Sequence, residues 1–67
     1  MIEIQLNGEA QQIKQGSTVS DMLETMGFSG KRVAIEYNQE ILPKSQHGQT
    51  VLLSNDRVEI VHAIGGG

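Results

Sequence analysis

The chain ends in Gly65-Gly66-Gly67, its most unusual chemical feature. Glycine makes up about 7% of ordinary sequence, so three in succession at a terminus is a rare arrangement. Extended, three residues reach ~10 Å. Lacking Cβ atoms, they can thread a slot that excludes every other residue type. A carboxylate on Gly67 delivered in this way is a poor electrophile until it is activated, typically by adenylation with ATP. Such a group suits a carrier that partner enzymes charge and discharge.

Other chemistry is scarce. There is no cysteine, hence no thiolate nucleophile, no disulfide and no thiolate metal site. The two histidines, His47 and His62, have no partner at metal-ligand spacing, so no metal is expected. His47 falls in a loop and His62 near the end of a strand, and both read as surface or rim residues. Asp56, Arg57 and Glu59 read as solvated charge on a sheet. No glycine-rich phosphate loop precedes a helix, and no cofactor bound by this chain is expected. With 37% hydrophobic residues, little would remain to line a pocket once a core is filled.

Eight acidic and five basic residues give a net charge of −3, which argues against nucleic acid and anionic membranes as partners. No apolar run approaches the ~20 residues of a membrane span. The opening Met-Ile-Glu-Ile-Gln-Leu alternates and does not read as a signal peptide, so the cytoplasm is the expected location. Sixty-seven residues make one domain, which hides only about 60% of the surface of the unfolded chain.

The elements that must hold such a tail follow from periodicity. Ile2, Ile4 and Leu6 alternate with Glu3 and Gln5, predicting a half-buried strand. Asn7-Gly8 predicts a tight hairpin, with a polar return strand over Glu9–Lys14 at a sheet edge. Thr18 is placed to cap a helix, with Asp21 in the capping-box position. Val19, Met22, Leu23 and Met26 form one helical stripe, and Gly27 is placed to stop it. The methionines on this stripe read as core filling. Val33, Ile35 and Tyr37 alternate before a turn at Asn38-Gln39. Ile41-Leu42 form a short strand ended by Pro43. Ser45 to Gly48 read as loop or one helical turn, and Val51-Leu52-Leu53 as a short apolar run. Arg57 to Ile64 forms the last and longest strand, leading into the glycines. The most apolar strands, first and last, should be central neighbours. The fold class is α+β, with four or five strands and one helix packed across one face.

Val33-Ala34-Ile35-Glu36-Tyr37-Asn38, Glu40-Ile41-Leu42-Pro43 and the stretch from Asp56 through Gly67 together resemble the ThiS family, the sulfur carriers of thiamine biosynthesis. Asn7-Gly8 and Gly16-x-Thr18-Val19 extend the likeness over essentially the whole chain. The resemblance implies a ubiquitin-like β-grasp with a mixed sheet of order 2-1-5-3-4. Residues 1–64 would form the sulfur-carrier domain and 65–67 a flexible tail. It implies that Gly67 is adenylated by a ThiF-type adenylyltransferase using ATP and then becomes a thiocarboxylate, with sulfur drawn from a cysteine desulfurase. Thiazole synthase (ThiG) would receive the sulfur. Gly65 and Gly66 would carry the tail into these partners, and catalysis would belong to the partners.

Two turns depart from the family pattern. Asn38-Gln39 stands where Asn-Gly is common, and Ser54-Asn55-Asp56 where Asp-Gly-Asp is common. Each costs about 1 kcal/mol or less in turn stability and leaves the tail untouched. By strand parity, Ala34, Glu36, Arg57 and Glu59 face away from the apolar residues and are expected to form a docking surface around the tail. The alternatives share the fold: the small subunit of molybdopterin synthase, usually longer, or a sulfur carrier of another pathway. From a different class come a ubiquitin-like protein modifier and a passive binding module. Removal of Gly67 would abolish carrier activity and spare passive binding.

Overall fold

The computed structural model describes residues 1–28 and 32–62. Strand β1 (Ile2–Leu6) turns through Asn7-Gly8 into β2 (Glu9–Ile13). Helix α1 (Val19–Thr25) follows, then β3 (Val33–Tyr37), β4 (Glu40–Leu42), a single 3-10 turn at Lys44–Gln46, and β5 (Arg57–His62). The five strands form one sheet in the order β2-β1-β5-β3-β4. β5 runs parallel to β1 and antiparallel to β3, so the last strand lies in the middle. This is the expected mixed β-grasp sheet.

Both hairpins use two-residue loops whose residues have positive φ: 51° and 84° at Asn7 and Gly8, 50° and 73° at Asn38 and Gln39. Turns of this hand match the twist of the flanking strands. Gln39 is the costly member, because a side chain with a Cβ resists the left-handed region.

The helix begins as its sequence predicts. Thr18 Oγ1 accepts the Asp21 N–H at 3.1 Å, and Asp21 Oδ2 accepts the Thr18 N–H at 3.0 Å. It is one residue shorter than its apolar stripe. Thr25 is the last helical residue and Met26 the C-cap, on the exposed side of the helix end. The Gly27 N–H then bonds Glu24 O and the Phe28 N–H bonds Leu23 O, the paired closure that a positive-φ glycine allows. Phe28 packs against the core beneath it.

Ile4 and Leu6, Val19, Met22 and Leu23, Ile35, Leu52, and Val58 and Ile60 make one buried cluster between α1 and one sheet face. Of the apolar run at 51–53 only Leu52 turns inward, while Val51 and Leu53 are exposed. That segment forms a single bridge, Thr18 to Val51, and no strand. Its backbone nevertheless ties the helix entry down, through Val19 N–H to Thr50 O and Leu52 N–H to Ser17 O.

Two polar residues correct the expectations from sequence. His47 is not a rim residue: it is 6% exposed, and its ring Nε2 lies 3.1 Å from Leu42 O. The turn after Pro43 folds the imidazole back under β4, where that carbonyl satisfies it. Asp56 is not solvated charge: it is 8% exposed and fully engaged in hydrogen bonds. No helix among the described residues is long and apolar enough to cross a membrane.

Candidate functional site

The strand that leads to the glycines is fixed at its entry by Asp56. Its Oδ2 accepts the Tyr37 hydroxyl at 2.6 Å and the Leu53 N–H at 2.8 Å, and Oδ1 accepts the Asn38 side-chain amide at 3.3 Å. Burial, then the hydrogen bond to Asp56 and the charge of that carboxylate, push the Tyr37 phenol up to about 12. A carboxylate held by three donors tolerates burial that would otherwise be expensive.

Both hairpin turns also grip β5. Asn38 donates its backbone N–H to Arg57 O and accepts the Arg57 N–H on Oδ1, at 2.7 and 2.8 Å. Asn7 donates its N–H to Val58 O and accepts the Ile60 N–H on Oδ1, at 2.9 and 2.8 Å. β1 ends at Leu6, so the Asn7 side-chain oxygen stands where the next backbone carbonyl of a parallel ladder would be. The central strand is thus held beyond the end of its neighbour. Gly65, Gly66 and Gly67, the expected working residues, lie outside the described residues.

The four expected docking residues fall on one face, opposite the helix. Glu36 pairs directly with Glu59 across β3 and β5, with Arg57 one step along the same face. Together with Gln39 these three line a shallow cleft of about 250 Å³. Ala34 pairs with Val61, which is exposed. Sequence reasoning missed two members of this face. Val61 and Ile41, the latter 69% exposed and paired with Glu36, add apolar surface beside the carboxylates. Strand parity carried the signal for Val61, two residues past Glu59, whereas Ile41 joins the face through its pairing with Glu36 across the hairpin. Among the described residues, no three His, Asp or Glu side chains gather as metal ligands.

The sequence model of the ThiS family matches residues 4–67. The chain belongs to the ThiS family, the sulfur carriers. It is 37% identical over 65 residues to the sulfur carrier protein ThiS of Bacillus subtilis, covering 96% of this chain and 98% of that protein. This ThiS-family chain is also 38% identical over 66 residues to a thiazole synthase of Magnetococcus marinus. There it covers 98% of this chain but spans only 20% of the relative's length. The crystal structure of a thiamine biosynthesis protein (ThiS) from Geobacter metallireducens superposes with a TM-score of 0.85 at 23% identity. That superposition covers 98% of this chain and all of the other, and establishes the shared β-grasp fold.

Proposed function

We propose that this chain is a non-catalytic protein co-substrate whose Gly67 carboxylate carries sulfur to a thiazole-forming enzyme. A ThiF-type adenylyltransferase joins a carboxylate oxygen to the α-phosphorus of ATP and expels pyrophosphate. Sulfur drawn as a persulfide from a cysteine desulfurase, and reduced by a thiol to the sulfide level with a disulfide as by-product, then attacks the acyl carbon, and AMP leaves as the C–S bond forms. The thiocarboxylate that results is a better nucleophile than the carboxylate it replaces, and thiazole synthase draws its sulfur from it.

The observation that carries this reading is the family match running to residue 67, on a strand clamped at the centre of the sheet. A rigid strand suits the delivery of a short reactive end, because positioning lowers the cost of entering a partner's site. The likeness to one fifth of a protein named thiazole synthase supports that enzyme as the acceptor. The face bearing Ala34, Glu36, Arg57 and Glu59, widened by Val61 and Ile41, is the proposed docking surface. Its two facing carboxylates fit a cationic side chain on the partner.

Accurate-mass analysis of the C-terminal peptide, after incubation with a ThiF-type enzyme, ATP and a sulfur donor, tests the proposal. Exchange of one oxygen for sulfur should localise to Gly67. A chain lacking Gly67, or extended by one residue beyond it, should show none. Sulfur found on another residue, or exchange in the truncated chain, would overturn the assignment. Localisation matters because the mass gain is close to that of methionine oxidation, and three methionines are present. Glu59→Lys should slow adenylation with the fold intact, and unchanged kinetics would remove Glu59 from the docking surface.

A further inference from the structure

The two edges of the sheet are built differently. β4 spans three residues, Glu40–Leu42, and Pro43 follows at once. A short strand stopped by proline is a guarded edge. β2 has five residues, pairs with β1 without a bulge from Ile2–Ile13 to Leu6–Glu9, and contains no proline. Its two-residue loop makes Leu6–Glu9 a hydrogen-bonded pair, so Ile4–Gln11 and Ile2–Ile13 are hydrogen-bonded too. The backbone N–H and C=O groups of Ala10 and Gln12 therefore point away from β1. Among the described residues, the side-chain contact on these groups is a long one, from the Gln11 side-chain amide to Gln12 O at 3.4 Å.

This open edge borders a groove of about 500 Å³ between β2 and α1. Four consecutive β2-side residues, Gln11 to Lys14, line it. Consecutive residues of a strand point to opposite faces, so it is the backbone edge that borders the groove. On the apolar side stand Ile13, Met22 and Met26, and methionine adapts its shape to varied side chains. Asp21 and Glu24 of α1 stand along the helix side, and among the described lining residues the cations are the Lys14 side chain and the Met1 amino group.

We propose that β2 and α1 form a strand-addition site for an extended segment of a partner protein. The segment places alternate apolar side chains between Ile13 and Met26 and a lysine or arginine against Asp21 and Glu24. Main-chain hydrogen bonds to Ala10 and Gln12 give affinity, while the groove selects the alternating pattern. Charge fixes the choice of occupant. The Asp21 and Glu24 carboxylates along the helix side and the net charge of −3 favour a basic segment over a second copy of this chain, whose β2 would bring Glu9 and Gln11 to the methionines. The site is separate from β5, since β1 lies between β2 and β5, and binding there needs no chemistry at Gly67.

Panning a phage-displayed random nonapeptide library against the chain, with counter-selection on Gln12→Pro, tests the proposal. Proline at position 12 removes an outward N–H and spares the ladder to β1. Enriched peptides should alternate apolar residues, carry a basic residue, and perturb the Ala10 and Gln12 amide resonances. Their affinity should fall about tenfold for Gln12→Pro, the loss of roughly one main-chain hydrogen bond. Glu24→Lys, on an exposed helix position, should fall by a similar factor and keeps the test available if the proline variant unfolds. Absence of enrichment, equal binding to both variants, or perturbations confined to Ala34 and Glu36 would overturn it.

Discussion

Tyr37 and Asp56 are joined by a 2.6 Å hydrogen bond between residues nineteen positions apart. It connects the end of β3 to the turn that launches β5, and it holds a carboxylate inside a domain with a thin stability margin. Loss of a hydrogen bond to a charged group costs about 1.5–3 kcal/mol. Tyr37→Phe should therefore lower the unfolding free energy read from urea titration by an amount in that range, and Asp56→Ala by more, because three donors lose their acceptor at once.

The same pair sets an alkaline limit. The phenol ionises at about 12 in the folded state, against 10.0 for an unperturbed tyrosine. Above pH 10 the unfolded chain loses this proton while the folded chain keeps it, so stability falls as pH rises from 10 towards 12. Below pH 10 the contribution is fully present. The chain has a single tyrosine, so tyrosinate absorbance reads its titration directly. In Asp56→Asn the midpoint should drop part of the way towards 10, and a midpoint that stayed at the wild-type value would contradict the pairing.

Neighbouring turn residues should respond in opposite directions. Gln39 has φ of 73° with no side-chain bond among those described, so Gln39→Gly should relieve strain and stabilise by about 0.5–1 kcal/mol. Asn38 has φ of 50°, but its side chain binds both the Arg57 N–H and Asp56. Asn38→Gly should destabilise by about 1–2 kcal/mol. Denaturant midpoints of the two variants give the comparison.

Asn7→Ala removes the acceptor for the Ile60 N–H and forces alanine to φ of 51°. A loss of about 2–3 kcal/mol is expected. Asn7→Asp, which keeps an acceptor, should lose less. Hydrogen exchange at the Ile60 amide should accelerate in the alanine variant beyond what the global destabilisation predicts.

Ile4 and Ile35 are fully buried on adjoining parts of the core. Truncation of either to alanine should cost about 2–5 kcal/mol. For a domain this small that is a large part of the whole stability, so circular dichroism should report a substantially unfolded population.

Local pattern carried most of the architecture. The alternation in β1, the Asn7-Gly8 turn, the capping box at Thr18 and the stop at Gly27 are each decided by residues within a few positions of one another. The shared face of Ala34, Glu36, Arg57 and Glu59 was legible for the same reason, since strand parity assigns them to one side. What escaped was long-range. An aspartate and a histidine read by type belong outside, and Asp56 and His47 are inside because Tyr37 and the Leu42 carbonyl meet them there. Val51 and Leu53 failed differently: hydrophobicity marked all three residues at 51–53, but a segment making one bridge has room to bury only Leu52.

Clamping β5 on both sides has a mechanical corollary. A pull applied along the axis of β5 loads the bonds to β1, β3, Asn7 and Asn38 in shear, so that they share the force instead of unzipping in turn. Force along that axis therefore meets the whole sheet rather than one bond at a time.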